Sequence, residues 1–174
     1  WLIKKWRKQF GEKNTKKLCK SYLKKSPMFL RVDTNQLSLK KAINLLNQSA
    51  IEVTRYDIVN NFLKVVSGQD KVLNDNLFKC GIISIQDPAS AAVAELVKPV
   101  NGDIILDVCA APGTKSLLMA QKVGDNGKIF ASDKDPLRVE LGILDIERHK
   151  NKNIQWSVLD ATKDVFPMAE KILI

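Results

Sequence analysis

The chain has 174 residues and a formal net charge of +9, from 28 lysines and arginines against 19 acidic residues, a size that suits one ordinary domain or two small ones. Its three cysteines form no C-x-x-C pair and its only histidine is His149, which argues against a disulfide framework, a structural zinc site and a histidine-based triad. No apolar run approaches the ~20 residues that span a bilayer, so we expect no membrane partner. From the cysteine and histidine content we expect a cytoplasmic protein without a metal.

Residues 1–25 account for the whole net charge. They contain ten basic residues and one acid, Glu12, while the remaining residues balance. A basic end on a neutral body is typical of a protein that binds RNA phosphate; the alternative is a solvated lysine face on two amphipathic helices. Apolar spacing predicts those helices within Leu2–Phe10 and Leu18–Leu23. We expect their aromatic side chains to lie in a core rather than to stack on bases: Trp6, Phe10 and Tyr22.

The next segment is predicted to be α+β. Met28–Val32 is a strand candidate, and Ser38 is placed to cap a helix that continues to Leu46. Glu52–Ile58 and Asn61–Val66 are predicted to be two strands around a tight turn. This pattern indicates a small sheet with a helix on one face. The aromatic RNP sequence that marks one class of RNA-binding sheet is absent.

Strands and helices alternate in the last part of the chain. Ile82–Gln86 is predicted to be extended, and Asp87 is a predicted N-cap with Pro88 at the first helical position. Four strands are predicted at Ile104–Val108, Lys128–Ser132, Ile154–Leu159 and Lys171–Ile174, with helices at Thr114–Val123 and Pro136–His149. Such alternation implies a parallel sheet. We therefore predict the α/β class, with an α+β subdomain in residues 1–81 and a truncated Rossmann-like core in residues 82–174.

A loop of small residues joins the first predicted strand of that core to its helix. Asp107–Lys115 reads Asp-Val-Cys-Ala-Ala-Pro-Gly-Thr-Lys. Alanine and glycine allow a ligand to approach the backbone, and free N–H groups at the helix start can face polar ligand atoms. Neither the dinucleotide G-x-G-x-x-G pattern nor the phosphate-loop pattern occurs. The loop thus predicts a small-ligand site, with a plain packing turn as the alternative.

The string Cys-Ala-Ala-Pro-Gly-x-Lys resembles the cofactor motif of the Sun/Fmu (RsmB-like) family of ribosomal RNA cytosine-C5 methyltransferases. Ile85–Ser90 resembles the family's Gln-Asp-x-Ala-Ser segment, and Pro27–Asp33 is similar to its Pro-x-x-Leu-Arg-Val-Asn segment. These motifs occur in the family's order and the resemblance covers essentially the whole chain. It implies an S-adenosylmethionine-dependent methyltransferase acting on 16S ribosomal RNA, with the α+β subdomain binding RNA. We expect a monomer.

The resemblance also implies a set of cofactor contacts. Asp133 follows the second strand and is placed to accept hydrogen bonds from ribose hydroxyls. Asp160 follows the third strand and is placed to contact an adenine amino group or to fix the adjacent loop. Either acid is alternatively an ordinary helix cap, a role for which Asp135 is also well placed. The predicted cofactor-binding residues are Cys109, Ala110, Ala111, Pro112, Gly113, Thr114, Lys115, Asp133 and Asp160.

Thr114 departs from the second glycine that is usual in the family. A β-branched residue disfavours positive φ, so we expect a helical or extended backbone there. Lys115 is predicted either to neutralise the cofactor carboxylate or to be solvent-exposed.

No catalytic residue is assigned. Family members carry two catalytic cysteines in later Asp-Ala-Pro-Cys and Thr-Cys-Ser segments, and neither segment occurs in this sequence. Cys109 is interpreted as a packing residue at the end of a buried strand. We therefore expect a fragment of a longer enzyme that does not turn over by itself. Two alternatives are a methyltransferase acting on protein or small molecules, which the basic segment disfavours, and a non-catalytic RNA-binding module with a relic cofactor fold.

Overall fold

The computed structural model describes the whole chain, from Trp1 to Ile174. Its first element, helix α1 (Leu2–Tyr22), is two helical arms separated at Gly11, where φ is 76° and ψ is 167°. The rings of Trp6 and Tyr22 stack with centroids 5.7 Å apart. Sixteen residues of straight helix would separate them by about 24 Å, so the arms fold back into a hairpin.

The predicted aromatic core of this hairpin is wrong. Phe10 is 43% exposed and Tyr22 is 71% exposed, and neither hydrophobic core of the protein contains a hairpin residue. Thr15 is the one buried residue of α1. The arms contact each other through the Trp6–Tyr22 stack, and Leu18 and Cys19 are half-buried.

The α+β subdomain is a four-stranded antiparallel sheet with strand order β2-β3-β1-β4. Ser38 caps α2 as predicted, accepting a hydrogen bond from the Lys41 N–H over 3.4 Å. The order of elements along the chain and the strand order in the sheet are those of a ferredoxin-like βαββαβ unit. The elements are β1 (Phe29–Val32), α2 (Leu39–Gln48), β2 (Glu52–Tyr56), β3 (Phe62–Ser67), a 3₁₀ helix (Gln69–Asn74), α3 (Asn76–Lys79) and β4 (Ile83–Ile85).

Strand β4 belongs to this first sheet. It pairs antiparallel with β1, with Leu30 opposite Ile85 and Val32 opposite Ile83. The segment was predicted to be extended but was grouped with residues 82–174. Because of this pairing, the two sheets separate after Ile85 rather than after residue 81. Sequence spacing does not show which distant strand a segment pairs with, and the boundary was therefore not predicted.

The second sheet is parallel, with strand order β7-β6-β5-β8, and confirms the Rossmann-like core. Asp87 caps the start of the helix that precedes this sheet, Pro88–Leu96, and accepts a hydrogen bond from the Ala89 N–H over 2.8 Å. The elements are α4 (Pro88–Leu96), β5 (Ile104–Asp107), α5 (Thr114–Val123), β6 (Lys128–Asp133), α6 (Pro136–His149), β7 (Ile154–Val158) and β8 (Lys171–Leu173). No helix combines the length and the apolar character needed to cross a membrane.

Apolar and polar contacts both join the two sheets. Phe62 of β3 is buried in the same core as Ala91 and Ala94 of α4. Beside it, the buried Arg31 donates hydrogen bonds to the side-chain oxygens of Gln86 and Gln121. Because Gln121 lies on α5, this network ties the first sheet to the helix that follows the small-residue loop.

Candidate cofactor-binding site

The small-residue loop leaves the carboxyl end of β5, next to the centre of the parallel sheet. Ala110 and Ala111 are buried, and the Ala110 N–H donates to the Ser132 carbonyl over 2.8 Å. Pro112 follows through a cis peptide bond and is exposed. The hydrogen bond to Ser132 places the loop directly beside Asp133, so the chain brings two predicted parts of the site together.

Gly113 is required where the loop meets α5. Its φ is 105°, and a Cβ there would lie 2.9 Å from Cζ2 of Trp156. Gly142 of α6 approaches the same indole, since a Cβ on it would lie 2.4 Å from the same atom. Trp156 thus fills the space between the loop and α6 and leaves no room for side chains at these two positions. Sequence analysis missed this role of Trp156.

The start of α5 presents unpaired backbone donors. Gly113 is the N-cap residue and provides no side-chain cap. The N–H of Leu117 donates to the Gly113 carbonyl, whereas the three preceding N–H groups, on Thr114, Lys115 and Ser116, donate to no protein acceptor. Thr114 is helical, one of the two conformations expected for its β-branched side chain. Three free N–H groups at a helix start suit the polar atoms of an anionic ligand.

Asp107 is a buried carboxylate that sequence analysis did not assign to the site. It is 1% exposed and accepts a hydrogen bond from the Ser116 hydroxyl over 2.7 Å. Burial raises the pKa of Asp107, and the Ser116 hydrogen bond opposes that rise. The pair connects the end of β5 to the first turn of α5 and thereby fixes both ends of the loop. The sequence signal that could have identified Asp107 is its position as an acidic residue at the end of an apolar strand.

Asp133 ends β6 and is 4% exposed. It accepts a hydrogen bond from the Asp135 N–H over 3.2 Å, and its Oδ2 lies 3.2 Å from Nη1 of Arg138. Arg138 also donates to the Ala111 carbonyl over 2.6 Å. One guanidinium therefore bridges Asp133 and the loop. The helix-cap alternative belongs to Asp135, which accepts from the Leu137 N–H over 3.0 Å.

Asp160 organises its own segment. Its Oδ1 accepts hydrogen bonds from the N–H and the hydroxyl of Thr162 over 3.0 and 2.6 Å, and its Oδ2 lies 3.4 Å from Nζ of Lys163. The Thr162 hydrogen bonds lower the pKa of Asp160 to about 2. Of the two predicted roles, the structure displays the one that fixes the adjacent loop. The adjacent Leu159 N–H donates to the Asp133 carbonyl over 3.2 Å, so Asp160 lies close to the rest of the site.

Cys109 is exposed and forms no disulfide, which corrects its interpretation as a packing residue. It lies in the loop, two residues beyond the end of β5. Lys115 is half-buried in the first turn of α5 and its charge favours the ionised form of Asp107. No group of three or more His, Cys, Asp or Glu side chains is arranged to hold a metal ion.

Family models match both parts of the chain. Residues 1–70 match "Methyltr_RsmF/B-like, ferredoxin-like domain", and residues 94–173 match "16S rRNA methyltransferase RsmB/F". The order of the two matches is the order of the two sheets. The resemblance that was recognised from three short motifs is confirmed by these models.

Individual relatives agree with the family models. The probable ribosomal RNA small subunit methyltransferase B of Bacillus subtilis is 33% identical over 144 residues, which is 81% of this chain and 31% of that protein. A mouse 28S rRNA (cytosine-C(5))-methyltransferase is 38% identical over 77 residues, 44% of this chain and 17% of that protein. The chain thus spans about a third or less of the length of these relatives.

A solved structure shows the same fold. NSun6 from Pyrococcus horikoshii, crystallised with SFG, superposes with a TM-score of 0.87 at 18% identity, covering 99% of this chain and 69% of that one. The likeness spans both sheets, including the antiparallel one. Because the two family models together match most of the chain, at residues 1–70 and 94–173, the chain belongs to the RsmB/F methyltransferase family.

Proposed function

We propose that this chain binds S-adenosylmethionine at the β5–α5 loop and binds RNA through residues 1–81, as part of an enzyme that methylates cytosine C5 in small-subunit ribosomal RNA. The observation that carries the proposal is the convergence of the buried Asp133, the loop of buried small residues and three free N–H groups at one edge of the parallel sheet. We further propose that the protein acts as a monomer in the cytoplasm and needs no metal.

The residues at this edge fit the cofactor. Asp133 offers carboxylate oxygens for ribose hydroxyls, and Asp160 is proposed to contact the adenine side of the site. The N–H groups at the start of α5, together with Lys115, suit the carboxylate of the methionine part. Ala110, Ala111 and Gly113 keep the loop backbone open to approach. When bound, S-adenosylmethionine supplies a methyl group on a sulfonium centre for transfer.

The remaining predicted contacts, Cys109, Pro112 and Thr114, are proposed to shape the loop and to contact the cofactor through their backbone. No residue of this chain is proposed as the nucleophile. The exposed Cys109 lies within the cofactor loop, and the cysteines that act on cytosine in the family belong to segments that this sequence lacks.

Ligand-dependent stability tests the cofactor site. A ligand at 100 times its Kd stabilises a folded protein by about 2.7 kcal/mol, so S-adenosylmethionine should raise the melting temperature of the chain. Asp133→Ala should abolish that rise. Asp125→Ala is the matched control, because Asp125 is an exposed aspartate in the turn between α5 and β6, at the opposite edge of the sheet. If Asp133→Ala keeps the full rise, the assignment of the site is wrong.

Charge reversal tests the RNA surface. Lys16, Lys17 and Lys20 are replaced by glutamate, and affinity for a labelled fragment of small-subunit ribosomal RNA is measured at several salt concentrations. We expect weaker binding and a shallower dependence on salt, by about 0.7 in log–log slope for each lost contact to single-stranded RNA. The same reversal at Lys128, Lys150 and Lys152, exposed lysines of the second sheet's unit, is the control. Equal losses in the two triple variants would contradict the placement of RNA on residues 1–81.

A further inference from the structure

A cavity lies between the two sheets, away from the cofactor loop. It has a volume of about 760 Å³ and is bounded by the end of β1, the turn between β2 and β3, and the later parts of α4 and α5. Small-molecule sites commonly have volumes of ~300–1,000 Å³. This cavity is therefore large enough for a nucleotide, and none of the predicted cofactor residues lines it.

Amide and hydroxyl groups dominate its polar lining. They belong to Thr34, Asn35, Asn60, Asn61 and Gln121. The side chains of Asn35 and Asn60 are exposed and form no hydrogen bond within the protein. Asparagine amides both donate and accept, which suits the mixed donor and acceptor edge of a nucleobase. Val59 and Leu118 add an apolar surface on which a flat ring can lie.

The charges of the lining exclude phosphate as the preferred occupant. Arg31 and Lys122 are balanced by Asp33 and Glu95. Lys122 lies 2.5 Å from Glu95, and Asp33 accepts a hydrogen bond from Gln121 over 3.0 Å. A site for phosphate would carry an excess of positive charge. The net neutral lining favours a ligand group that is polar but uncharged.

The position of the cavity relates it to the cofactor loop. Leu118 and Lys122 lie four and eight residues beyond Thr114, the first residue of α5. At ~1.5 Å per helical residue they are about 6 and 12 Å along the axis from the loop. A stacked strand rises ~3.4 Å per nucleotide, so this distance corresponds to about two to four nucleotides.

We propose that this cavity receives an unstacked nucleobase of the RNA substrate, from a nucleotide near the one that is methylated. Proteins that read single-stranded RNA splay bases out of the stack and hydrogen-bond to their edges. Asn35 and Asn60 contact the base edge, while the phosphates remain outside on basic side chains. The inference rests on the proposed RNA-binding function and assigns one of its contacts.

The test compares two 12-nucleotide single-stranded RNAs, one complete and one in which alternate nucleotides lack the base. The wild-type chain should bind the complete RNA more tightly. In the variant Asn35→Ala/Asn60→Ala we expect affinity for the complete RNA to fall about tenfold, as for the loss of one bidentate base contact, and affinity for the abasic RNA to be unchanged. Asn61 is left in place because its φ of 65° favours asparagine.

Two further variants complete the design. Asn44→Ala/Asn47→Ala removes two exposed amides from α2, outside the cavity, and should bind as the wild type does. Ala92→Phe places a ring in the cavity from α4 and should reduce affinity for the complete RNA as the double variant does. Stabilisation by S-adenosylmethionine shows that each variant is folded.

Unchanged discrimination between the two RNAs in both cavity variants would overturn the inference and leave the proposed function intact. Failure of the wild-type chain to bind either RNA would overturn the proposed function and this inference together.

Discussion

Helices α1 and α5 both combine lysines with apolar residues, and both are predicted from the sequence. They differ in how much of their surface is buried. Helix α5 buries six residues against the parallel sheet and its neighbours. Helix α1 is longer and buries only Thr15. The difference teaches that a periodic apolar stripe predicts where a helix forms but does not show whether another surface buries that stripe.

The largest expected effect comes from a substitution at Gly81, in the tightly packed turn between α3 and β4, which contacts the end of α6. A Cβ at Gly81 would lie 2.5 Å from the Arg148 carbonyl oxygen, and φ is 72°. Backbone strain and overpacking together should cost Gly81→Ala about 3–5 kcal/mol of unfolding free energy, measured by urea denaturation. Gly11→Ala is the matched control: φ is 76° but nothing lies within 4 Å of the added Cβ. Comparable losses in global stability would break the contrast between the two regions.

Acid should lower the unfolding free energy through the buried His149, which lies at the end of α6. Burial, followed by the nearby charge of Arg148, lowers the pKa of His149 from 6.5 to about 4, with Asp145 opposing the shift. The folded state therefore binds this proton less readily than the unfolded state does. The stabilisation is complete above pH 6.5 and is lost as the pH falls toward 4, by about 3 kcal/mol. His149→Gln should flatten that part of the pH profile of unfolding free energy; a profile identical to the wild type would exclude His149 as its cause.

A smaller effect is expected from a pair of serine substitutions. Ser116 is fully buried and its hydroxyl donates to the buried Asp107. Ser116→Ala should cost about 2 kcal/mol, because a buried acceptor loses its partner. In α1, Ser21 donates to the Leu18 carbonyl at an exposed position, and Ser21→Ala should change stability by less than about 0.5 kcal/mol. Thermal unfolding of both variants measures the difference, and a loss in Ser21→Ala equal to that in Ser116→Ala would contradict it.

Local signals account for what the sequence predicted well. The bounds of α5 and α6 agree with prediction, because Asp135 and the proline after it mark where α6 begins and Gly124 marks where α5 ends. Asp87 caps α4 for the same reason. These features involve neighbouring residues, so they are readable without knowledge of the fold.

Features that depend on distant residues were not predicted. The pairing of β4 with β1, the bridge from Arg138 to the loop, and the packing of Trp156 against two glycines each join segments that are far apart in sequence. The exposure of Cys109 also escaped prediction, since it depends on where β5 ends. For the candidate site, the family motif predicted that the loop and Asp133 lie together. The hydrogen bonds of Ala110 and Arg138 that join them are seen only in the structure.

The membership of β4 in the first sheet bears on how such proteins are recombined. A graft that exchanged residues 1–81 between relatives would remove a sheet and leave its edge strand on the recipient, attached to the wrong neighbour. The junction that respects the hydrogen bonding lies after Gln86, whose N–H donates to the Phe29 carbonyl of β1 over 3.2 Å and whose side chain accepts a hydrogen bond from Arg31 over 2.6 Å. Chimaeras joined there should keep each sheet whole, provided that donor and recipient share the arginine and the glutamine.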